Sequence, residues 1–433
     1  MKSTAELSLL SGPLPWMLSA FGLAGALWLI GGAGRRSLGR AGVRSSWLAL
    51  SAALAMYVVV ERWWRPFPDT LPRPVYLWFG LAVWTITLLP PRIHGTRLWR
   101  AKALSLVAAA ALVLASAVQV NLVFAAYPTV EDALGLGGDN RISLTAVPSG
   151  QAEPVTGWPL DSVWSPPGGL PANGRVVRAV VPGPVSRFVA RPAEIYLPPA
   201  YFATPRPLLP VLVLLSGQPG SPIDWFNGGR LSQTMDAYAA THGGLAPVVV
   251  VADATGGTWS NPLCLDSRLG NVATYLAVDL RAWVIGKLQV DADPRRWAIG
   301  GISYGGTCAL QMATNYPGAY PTFLGLSGDA EPSLGDRHQT VKAAFGADTA
   351  AFERVNPMTL LRTRRYPDSA GVLVTGTGDS AARSAQTAVA AAAAAAGMQI
   401  RARELPGEHS WAVWSAGLRT EMNWLATRLG VSP

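Results

Sequence analysis

The sequence predicts an α/β fold, a mostly parallel sheet of about eight strands with helices on both faces, preceded by four transmembrane helices. Three observations predict this arrangement. Residues 1–126 contain four long apolar stretches. Within residues 174–433, short β-rich runs alternate with longer helical patterns, which is typical of parallel strands joined by crossover helices. Residues 127–173 are rich in Pro, Gly and Ser, which predicts a linker and an irregular lead-in between the two parts.

The apolar stretches of the first part cover residues 13–33, 46–60, 75–90 and 103–126. The first and last reach the ~20 residues that a membrane-spanning helix needs. The middle two are shorter and are flanked by Trp, Tyr and Pro residues, which suit a membrane interface. Two buried helices of a soluble domain are the alternative for this middle pair.

The net charge of +9 is confined to the first part of the chain. Residues 1–126 hold 12 of the 35 Lys and Arg residues but 3 of the 26 Asp and Glu residues. The remaining residues are therefore balanced, with 23 basic and 23 acidic side chains. A balanced second part indicates no basic face for DNA or RNA.

Loop charges predict the orientation of the four spans. The loop after the first span holds Arg35, Arg36, Arg40 and Arg44, and the loop after the third holds Arg92, Arg97, Arg100 and Lys102. The loop between the second and third spans is mixed, with Glu61, Arg62, Arg65, Asp69 and Arg73. The positive-inside rule then places both termini, and with them the C-terminal domain, on the extracytoplasmic side. No cleavable signal peptide is expected, because Lys2 and Glu6 precede a long first span that other spans follow.

The second part predicts eight strands and five helices. The strands are Arg175–Val181, Ala193–Leu197, Val211–Ser216, Val248–Asp253, Arg296–Gly300, Thr322–Ser327, Gly371–Gly376 and Gln399–Leu405. The helices cover about 230–241, 270–288, 305–315, 381–397 and 412–429. The first strands follow one another without helices, as an antiparallel edge would. Residues 328–370 are polar and contain prolines, so we expect a lid or an insertion on the substrate side.

A Gly-x-Ser-x-Gly pentapeptide, Gly301-Ile302-Ser303-Tyr304-Gly305, follows the apolar run Trp297-Ala298-Ile299. A serine nucleophile on a sharp strand-to-helix turn needs this pattern, since larger side chains two residues away would collide with the turn. The pentapeptide alone is a weak signal in a chain rich in Gly and Ser. Its position between a predicted strand and a predicted helix strengthens it.

Two more residues of the required types follow later strand ends. Asp379 follows the seventh predicted strand, and His409 follows the eighth. Serine needs an imidazole to take its proton, and the imidazole needs a carboxylate to orient it. Glu408 and Asp368 are alternative acids, while Asp329 also follows a strand but comes early in the chain. A histidine in an ordinary surface loop is the alternative for His409; His94, His242 and His338 are less suitably placed.

An oxyanion hole is also required, because the reaction places negative charge on the former carbonyl oxygen. The backbone N–H of Tyr304, directly after the nucleophile, is one predicted donor. The second is the N–H of Gln218, in the loop after the third predicted strand, because the neighbouring Pro219 has no N–H to donate. An ordinary turn is the alternative for this loop.

The two cysteines of the chain, Cys264 and Cys308, both lie in the part predicted to be exported. An oxidising compartment permits a disulfide between them, and two buried free thiols are the alternative. The sequence shows no zinc-ligand spacing and no phosphate-binding glycine loop. We therefore expect no metal and no organic cofactor.

Residues 174–430, roughly 60% of the chain, resemble the esterase D-like α/β-hydrolases, a group that includes the mycobacterial mycolyltransferases. The matching pieces are Gly301–Gly306, Leu215-Ser216-Gly217 and His409-Ser410-Trp411-Ala412-Val413-Trp414. The resemblance implies an α/β-hydrolase fold and a serine acyl-enzyme mechanism. It also implies that Ser216 and Trp411 lie in the substrate-binding region. Mycolyltransferases differ at three positions: they carry an acidic residue at Ser216, an arginine at Pro219 and a glutamate at Asp379.

We therefore expect a membrane-anchored, extracytoplasmic serine esterase that acts on an ester or acyl-lipid and lies against membrane lipid. The first alternative is a cell-envelope acyltransferase that passes the acyl group to a sugar or lipid alcohol. The second is a catalytically silent membrane protein whose hydrolase domain binds a partner. A transporter is disfavoured because no charged residue lies well inside a predicted span.

Overall fold

The computed structural model describes residues 7–31, 35–64, 70–135, 140–150 and 153–433, with the side chains of residues 35–38 left aside. The chain forms two compact units, Met1–Gly137 and Gly138–Pro433. Some residues used to predict the topology lie outside the described part: Lys2, Glu6, Arg65, Asp69 and the side chains of Arg35 and Arg36.

The described residues of the first unit form four long α-helices and one short α-helix. They are α1 (Pro13–Gly31), α2 (Arg35–Val58), α3 (Arg73–His94), α4 (Trp99–Phe124) and α5 (Val130–Leu134). A π-helical turn, Val59–Trp63, extends α2. The four long helices are long and apolar enough to cross a membrane, by length and composition. The two middle helices are longer than the stretches 46–60 and 75–90 predicted for them, because arginine is a good helix former and the helix continues past the apolar residues.

The four long helices pack through small residues. Helix α1 packs against α4, and α3 packs against both α2 and α4. A Cβ atom at Gly22 would lie 2.4 Å from the Cβ of Ala115, and one at Gly25 would lie 2.5 Å from the backbone oxygen of Ala108. Close backbone approach at small residues is typical of helices that pack inside a membrane. Large apolar side chains such as Trp16 point away from the other helices and are exposed.

The described residues of the second unit contain eleven strands and ten α-helices. The strands are β1 (Arg141–Ile142), β2 (Arg175–Ala179), β3 (Ala193–Leu197), β4 (Val211–Leu215), β5 (Val248–Ala252), β6 (Asp266–Ser267), β7 (Gly270–Asn271), β8 (Trp297–Ile302), β9 (Thr322–Leu326), β10 (Ala370–Gly376) and β11 (Gln399–Leu405). The helices are α6 (Asp224–Asn227), α7 (Leu231–Thr241), α8 (Val272–Thr274), α9 (Leu280–Lys287), α10 (Tyr304–Asn315), α11 (Arg337–Phe345), α12 (Thr349–Glu353), α13 (Pro357–Thr363), α14 (Ser380–Ala395) and α15 (Trp411–Leu429).

Nine of these strands form one sheet, in the order β1-β2-β3-β5-β4-β8-β9-β10-β11. Strand β3 pairs antiparallel with both of its neighbours, and the other pairings are parallel. All strands of the sheet except β3 therefore run in one direction, and their carboxyl ends meet at one edge, which we call the carboxyl edge. Strands β4 and β5, near the middle, consist entirely of buried residues, as expected for strands covered on both faces.

The structure confirms the mostly parallel sheet and the α/β-hydrolase fold, and it adds elements that the sequence pattern did not show. Strand β1 lies in the segment 127–173 and pairs with β2 as a ninth strand. Helices α11, α12 and α13 lie in the segment 328–370. Helix α8 continues through a π-helical turn, Tyr275–Asp279, into α9, and together they cover the single helix predicted for 270–288.

Candidate active site

Ser303 lies at a strained turn at the carboxyl edge, between β8 and α10. Its backbone has φ 50° and ψ −118°, a conformation that costs energy for a residue with a side chain. A Cβ atom at Gly301 would lie 2.4 Å from the backbone of Gly305, and one at Gly305 would lie 2.4 Å from the carbonyl oxygen of Leu215. Both glycines of the pentapeptide are therefore needed for the turn to form. The Ser303 amide donates to the carbonyl of Leu326 at 2.8 Å, which ties the turn to β9.

Asp379 and His409 lie together at the same edge. The Nδ1 atom of His409 is 2.7 Å from the Oδ2 atom of Asp379, within hydrogen-bond distance. The other carboxylate oxygen, Oδ1, accepts from the Ala382 amide at 3.3 Å and caps the first turn of α14. One buried carboxylate thus orients the imidazole and begins a helix.

The electrostatics favour a charged Asp379. Burial alone raises the pKa of this carboxyl, but the hydrogen bond and charge of His409 and the amide of Ala382 together outweigh it. The pKa of Asp379 therefore lies below its usual value. A carboxylate that stays ionised can stabilise an imidazolium beside it.

The imidazole of His409 also contacts an aromatic wall. The ring of Trp414 meets it edge to face, with centroids 4.9 Å apart. Trp411 lies behind, edge to face with both Trp414 and Trp225, at 5.4 Å in each case. The His409 side chain remains about a quarter exposed, so it is held in place but open to a substrate.

The three predicted catalytic residues follow three strands whose carboxyl ends share one edge. Ser303 follows β8, Asp379 follows β10 and His409 follows β11. Strand β9 separates β8 from β10, so the carboxyl ends of β8 and β10 lie about 10 Å apart. Side chains from these loops can reach a common point above the sheet.

The alternative acids are less well placed. Asp368 precedes β10, at the opposite edge of the sheet from His409. Glu408 is exposed, and its carboxylate lies over Gly378. Asp329 lies in the loop after β9, where its backbone amide donates to the Thr307 hydroxyl at 2.8 Å. Asp379 is the acid that contacts the His409 ring.

The two predicted oxyanion donors lie on either side of the nucleophile. Tyr304 begins α10, and a Cβ atom at Gly217, next to Gln218, would lie 3.6 Å from the Cβ of Ser303. Within the described residues, the backbone amides of Gln218 and Tyr304 donate to no protein acceptor. The Gln218 side chain is buried, and its Nε2 donates to the Trp259 carbonyl at 3.2 Å. The loop is thus held while its amide is left available.

The two residues that the family resemblance assigns to substrate binding differ in exposure. The Ser216 hydroxyl donates to the Ser221 carbonyl at 2.6 Å and is partly exposed, in the loop that holds Gln218. Trp411 is buried, and its indole packs on the backbone of Gly228 and Gly229. A contact between Trp411 and substrate stays a prediction.

A disulfide joins Cys264 and Cys308. Cys308 lies on α10, the helix that begins at the nucleophile, and Cys264 lies in the loop after β5. The same loop is held to α10 at two further points. The Tyr304 hydroxyl donates to the Ala254 carbonyl at 3.0 Å, and Gln311 Nε2 donates to the Leu263 carbonyl at 2.8 Å. These contacts fix the loop beside the nucleophile.

Sequence reasoning missed a buried ion pair beside this loop. Arg191 donates to both carboxylate oxygens of Asp253, from Nη2 to Oδ1 at 2.8 Å and from its backbone amide to Oδ2 at 2.7 Å. Burial raises the pKa of Asp253, but the hydrogen bonds and charge of Arg191 outweigh it, so the pKa lies below its usual value. The signal available in the sequence was an aspartate directly after the valines of β5.

This chain is similar to a known protein family and to a bacterial relative. Residues 190–425 match the family described as "Putative esterase". An uncharacterised protein of Corynebacterium glutamicum is 38% identical over 409 residues, which cover 90% of this chain and 91% of the relative.

Two solved structures share the fold. One is a ferulic acid esterase, 18% identical with a TM-score of 0.52, which covers 60% of this chain and 99% of that structure. The other is an S-formylglutathione hydrolase from Agrobacterium tumefaciens, 20% identical with a TM-score of 0.51, covering 60% and 97%. The chain therefore belongs to the esterase family and has the α/β-hydrolase fold.

Proposed function

We propose that this protein is a membrane-anchored esterase in which Ser303, His409 and Asp379 form a catalytic triad. The observation that carries the proposal is the 2.7 Å contact between His409 Nδ1 and Asp379 Oδ2, at the same sheet edge as a strained Ser303. A histidine oriented by a buried carboxylate is the group that can activate a serine hydroxyl. The substrate is a carboxylic ester.

In the proposed reaction, the Ser303 oxygen attacks the ester carbonyl carbon while His409 takes the hydroxyl proton. The tetrahedral intermediate then collapses, and His409 gives the proton to the departing alcohol. Water, deprotonated by His409, attacks the acyl-enzyme and releases the acid together with the free Ser303 hydroxyl. Asp379 stays ionised throughout, because its low pKa keeps the carboxylate available to the imidazolium.

The backbone amides of Tyr304 and Gln218 supply the proposed oxyanion hole. Both lack a protein acceptor among the described residues, and both belong to segments that the protein holds in place. Donors fixed before the reaction stabilise the developing charge without the cost of reorienting them.

The decisive experiment replaces Ser303 by alanine in the full chain. We expect kcat for a short-chain nitrophenyl ester to fall by at least about 10⁴-fold, while the circular dichroism spectrum and Tm stay unchanged. A fluorophosphonate probe should label the wild-type chain once and the variant not at all. Normal turnover by the variant would refute the assignment of the nucleophile.

Acyl transfer to an alcohol is the second candidate, because an alcohol can attack the same acyl-enzyme that water attacks. A partly exposed His409 can activate an alcohol as readily as water. Product analysis with an acceptor alcohol present separates the two: a transferase forms the new ester faster than the free acid, and a hydrolase does not.

The first unit is the proposed membrane anchor. Four helices of sufficient length, an apolar exterior and close packing at small residues support this. Loop arginines favour an orientation that places the catalytic unit outside the cytoplasm, where a disulfide between Cys264 and Cys308 is stable. Protease added to intact cells should then digest the catalytic unit; full protection would reverse the orientation.

A further inference from the structure

An exposed apolar surface lies on one side of the carboxyl edge. It consists of Val180, Val185 and Val189 in the loop between β2 and β3, Trp259 in the loop after β5, and Leu269 in the β6–β7 hairpin. We call it the valine face. Its valines are 63–84% exposed and Trp259 is 55% exposed. Elsewhere in the described second unit, large apolar side chains with comparable exposure are few, and Trp158 packs on Arg296 at the opposite edge.

The valine face is held to the sheet rather than left loose. The amides of Val185 and Ser186 donate to the buried carboxylate of Asp279 at 3.1 and 2.9 Å. Phe188, on the inner side of the loop, packs against Tyr275 with ring centroids 5.3 Å apart. Arg191 then fixes the end of the loop through its ion pair with Asp253. Several buried contacts therefore fix the loop in a conformation that exposes its three valines to solvent.

The exposed charges of the segment that forms this face have one sign. Residues 180–271 contain five carboxylates, and none of them is exposed; they are Glu194, Asp224, Asp236, Asp253 and Asp266. The exposed charged residues of the same segment are Arg187 and Arg268. Arg187 stands between Val185 and Val189 in the loop. Within this segment, apolar side chains with interspersed cations and no exposed anion match the interface of an anionic lipid layer.

The position of the face connects it to catalysis. The carboxyl end of β2 lies at the same edge as that of β8, so the loop between β2 and β3 shares that edge with Ser303. Hydrogen bonds also link both loops to the loop after β5. The Arg191 side chain donates to the Thr258 hydroxyl, and the Gln218 side chain donates to the carbonyl of Trp259. A surface bound to the valine face would thus lie beside the loop that holds Gln218.

We infer that the valine face docks on the anionic surface of a lipid layer and brings the nucleophile to esters held there. The inference rests on the proposed membrane anchoring and esterase activity, and it adds the surface and the kind of partner. Valine side chains enter the boundary between headgroups and acyl chains, while Arg187 stays at the level of the lipid phosphates.

The direct test places a fluorophore on the face of the full chain. Both native cysteines are joined in the disulfide, so Val189→Cys adds a single free thiol for an environment-sensitive nitrobenzoxadiazole label. The matched control is Val163→Cys, an exposed valine near the amino-terminal edge of the sheet. The chain is reconstituted in vesicles of phosphatidylcholine with or without phosphatidylglycerol.

With phosphatidylglycerol present, the label at 189 should shift to the blue and be quenched by lipids that carry a spin label high on the acyl chain, whereas the label at 163 should not. Equal behaviour of the two labels would overturn the inference. A blue shift at 189 that appears in lipid-free detergent as protein concentration rises would also overturn it, since a second copy would then cover the face.

A kinetic comparison completes the test. Val189→Asp should lower kcat/KM about tenfold for an ester embedded in the anionic vesicles, the loss expected when one valine side chain is withheld from lipid. Its kcat/KM for a short soluble ester should stay unchanged. The label at 189 should respond to lipid equally in a Ser303→Ala background. Loss of the triad assignment would therefore leave the docking result intact, and loss of docking would leave soluble turnover intact.

Discussion

Replacing Asp379 by asparagine separates its charge from its shape. Asparagine keeps an oxygen that can accept from Ala382 and is itself a good residue for capping a helix, so α14 should still begin at the same place. The change removes the negative charge 2.7 Å from His409. Two unit charges about 4 Å apart attract by about 4 kcal/mol at an effective dielectric constant of about 20, which suits a carboxylate that is almost fully buried. If the transition state loses this stabilisation, the rate falls about 10³-fold.

The assay is hydrolysis of a nitrophenyl ester by the full chain at neutral pH, with kcat and KM measured separately. We expect kcat to fall about 10³-fold for Asp379→Asn and KM to change little, because the imidazolium forms during the reaction and not on substrate binding. Asp368→Asn and Glu408→Gln are the matched controls and should retain wild-type kcat. An Asp379→Asn enzyme with more than about a tenth of wild-type kcat would refute the reasoning, since that loss is under about 1.4 kcal/mol.

Three further predictions concern stability. Gly305→Ala should destabilise the second unit by about 3 kcal/mol or more, because its Cβ would lie 2.4 Å from the Leu215 carbonyl, whereas Gly318→Ala, with open space around it, should leave Tm unchanged. Cys308→Ala should cost about 4 kcal/mol, the entropy of releasing a loop of 44 residues, so reductant should lower Tm in the wild type but not in the variant. The low pKa of Asp253 means that its stabilising effect is complete above pH about 4 and disappears as pH falls through the lower folded value, so Asp253→Asn should flatten the dependence of Tm on pH in acid. An equally steep acid dependence in that variant would contradict the last prediction.

Much of the arrangement at the carboxyl edge could be predicted, because local sequence patterns determine it. The pentapeptide around Ser303 is demanded by backbone crowding, which the Gly301 and Gly305 contacts show. Asp379 and His409 could be placed because β10 and β11 are clear runs of β-forming residues, and parallel strands bring the loops after them to one edge.

Other features could not be predicted. Some depend on residues that are far apart in the sequence, and others on helix ends at which the hydropathy changes gradually. Arg191 and Asp253 are 62 residues apart, and neither local sequence indicates that the other residue is its partner. The middle helices of the first unit were assigned too short, because hydropathy falls before the helix ends, as at Arg40 and Arg73. The strand β1 contains two residues, too few for any period to show.

The contact between Gly305 and the end of β4 has a consequence for how such enzymes diversify. The carbonyl oxygens of Leu215 and Ser216 press directly on that glycine, and Gly217 lies against Ser303, so main-chain packing sets the spacing between the nucleophile and the opposing loop. The side chains of Ser216 and Gln218 also hold the loop, through hydrogen bonds to the carbonyls of Ser221 and Trp259. Pro219 is partly exposed, so a substitution there should alter what the loop presents to a substrate while the main-chain spacing at Ser303 is kept.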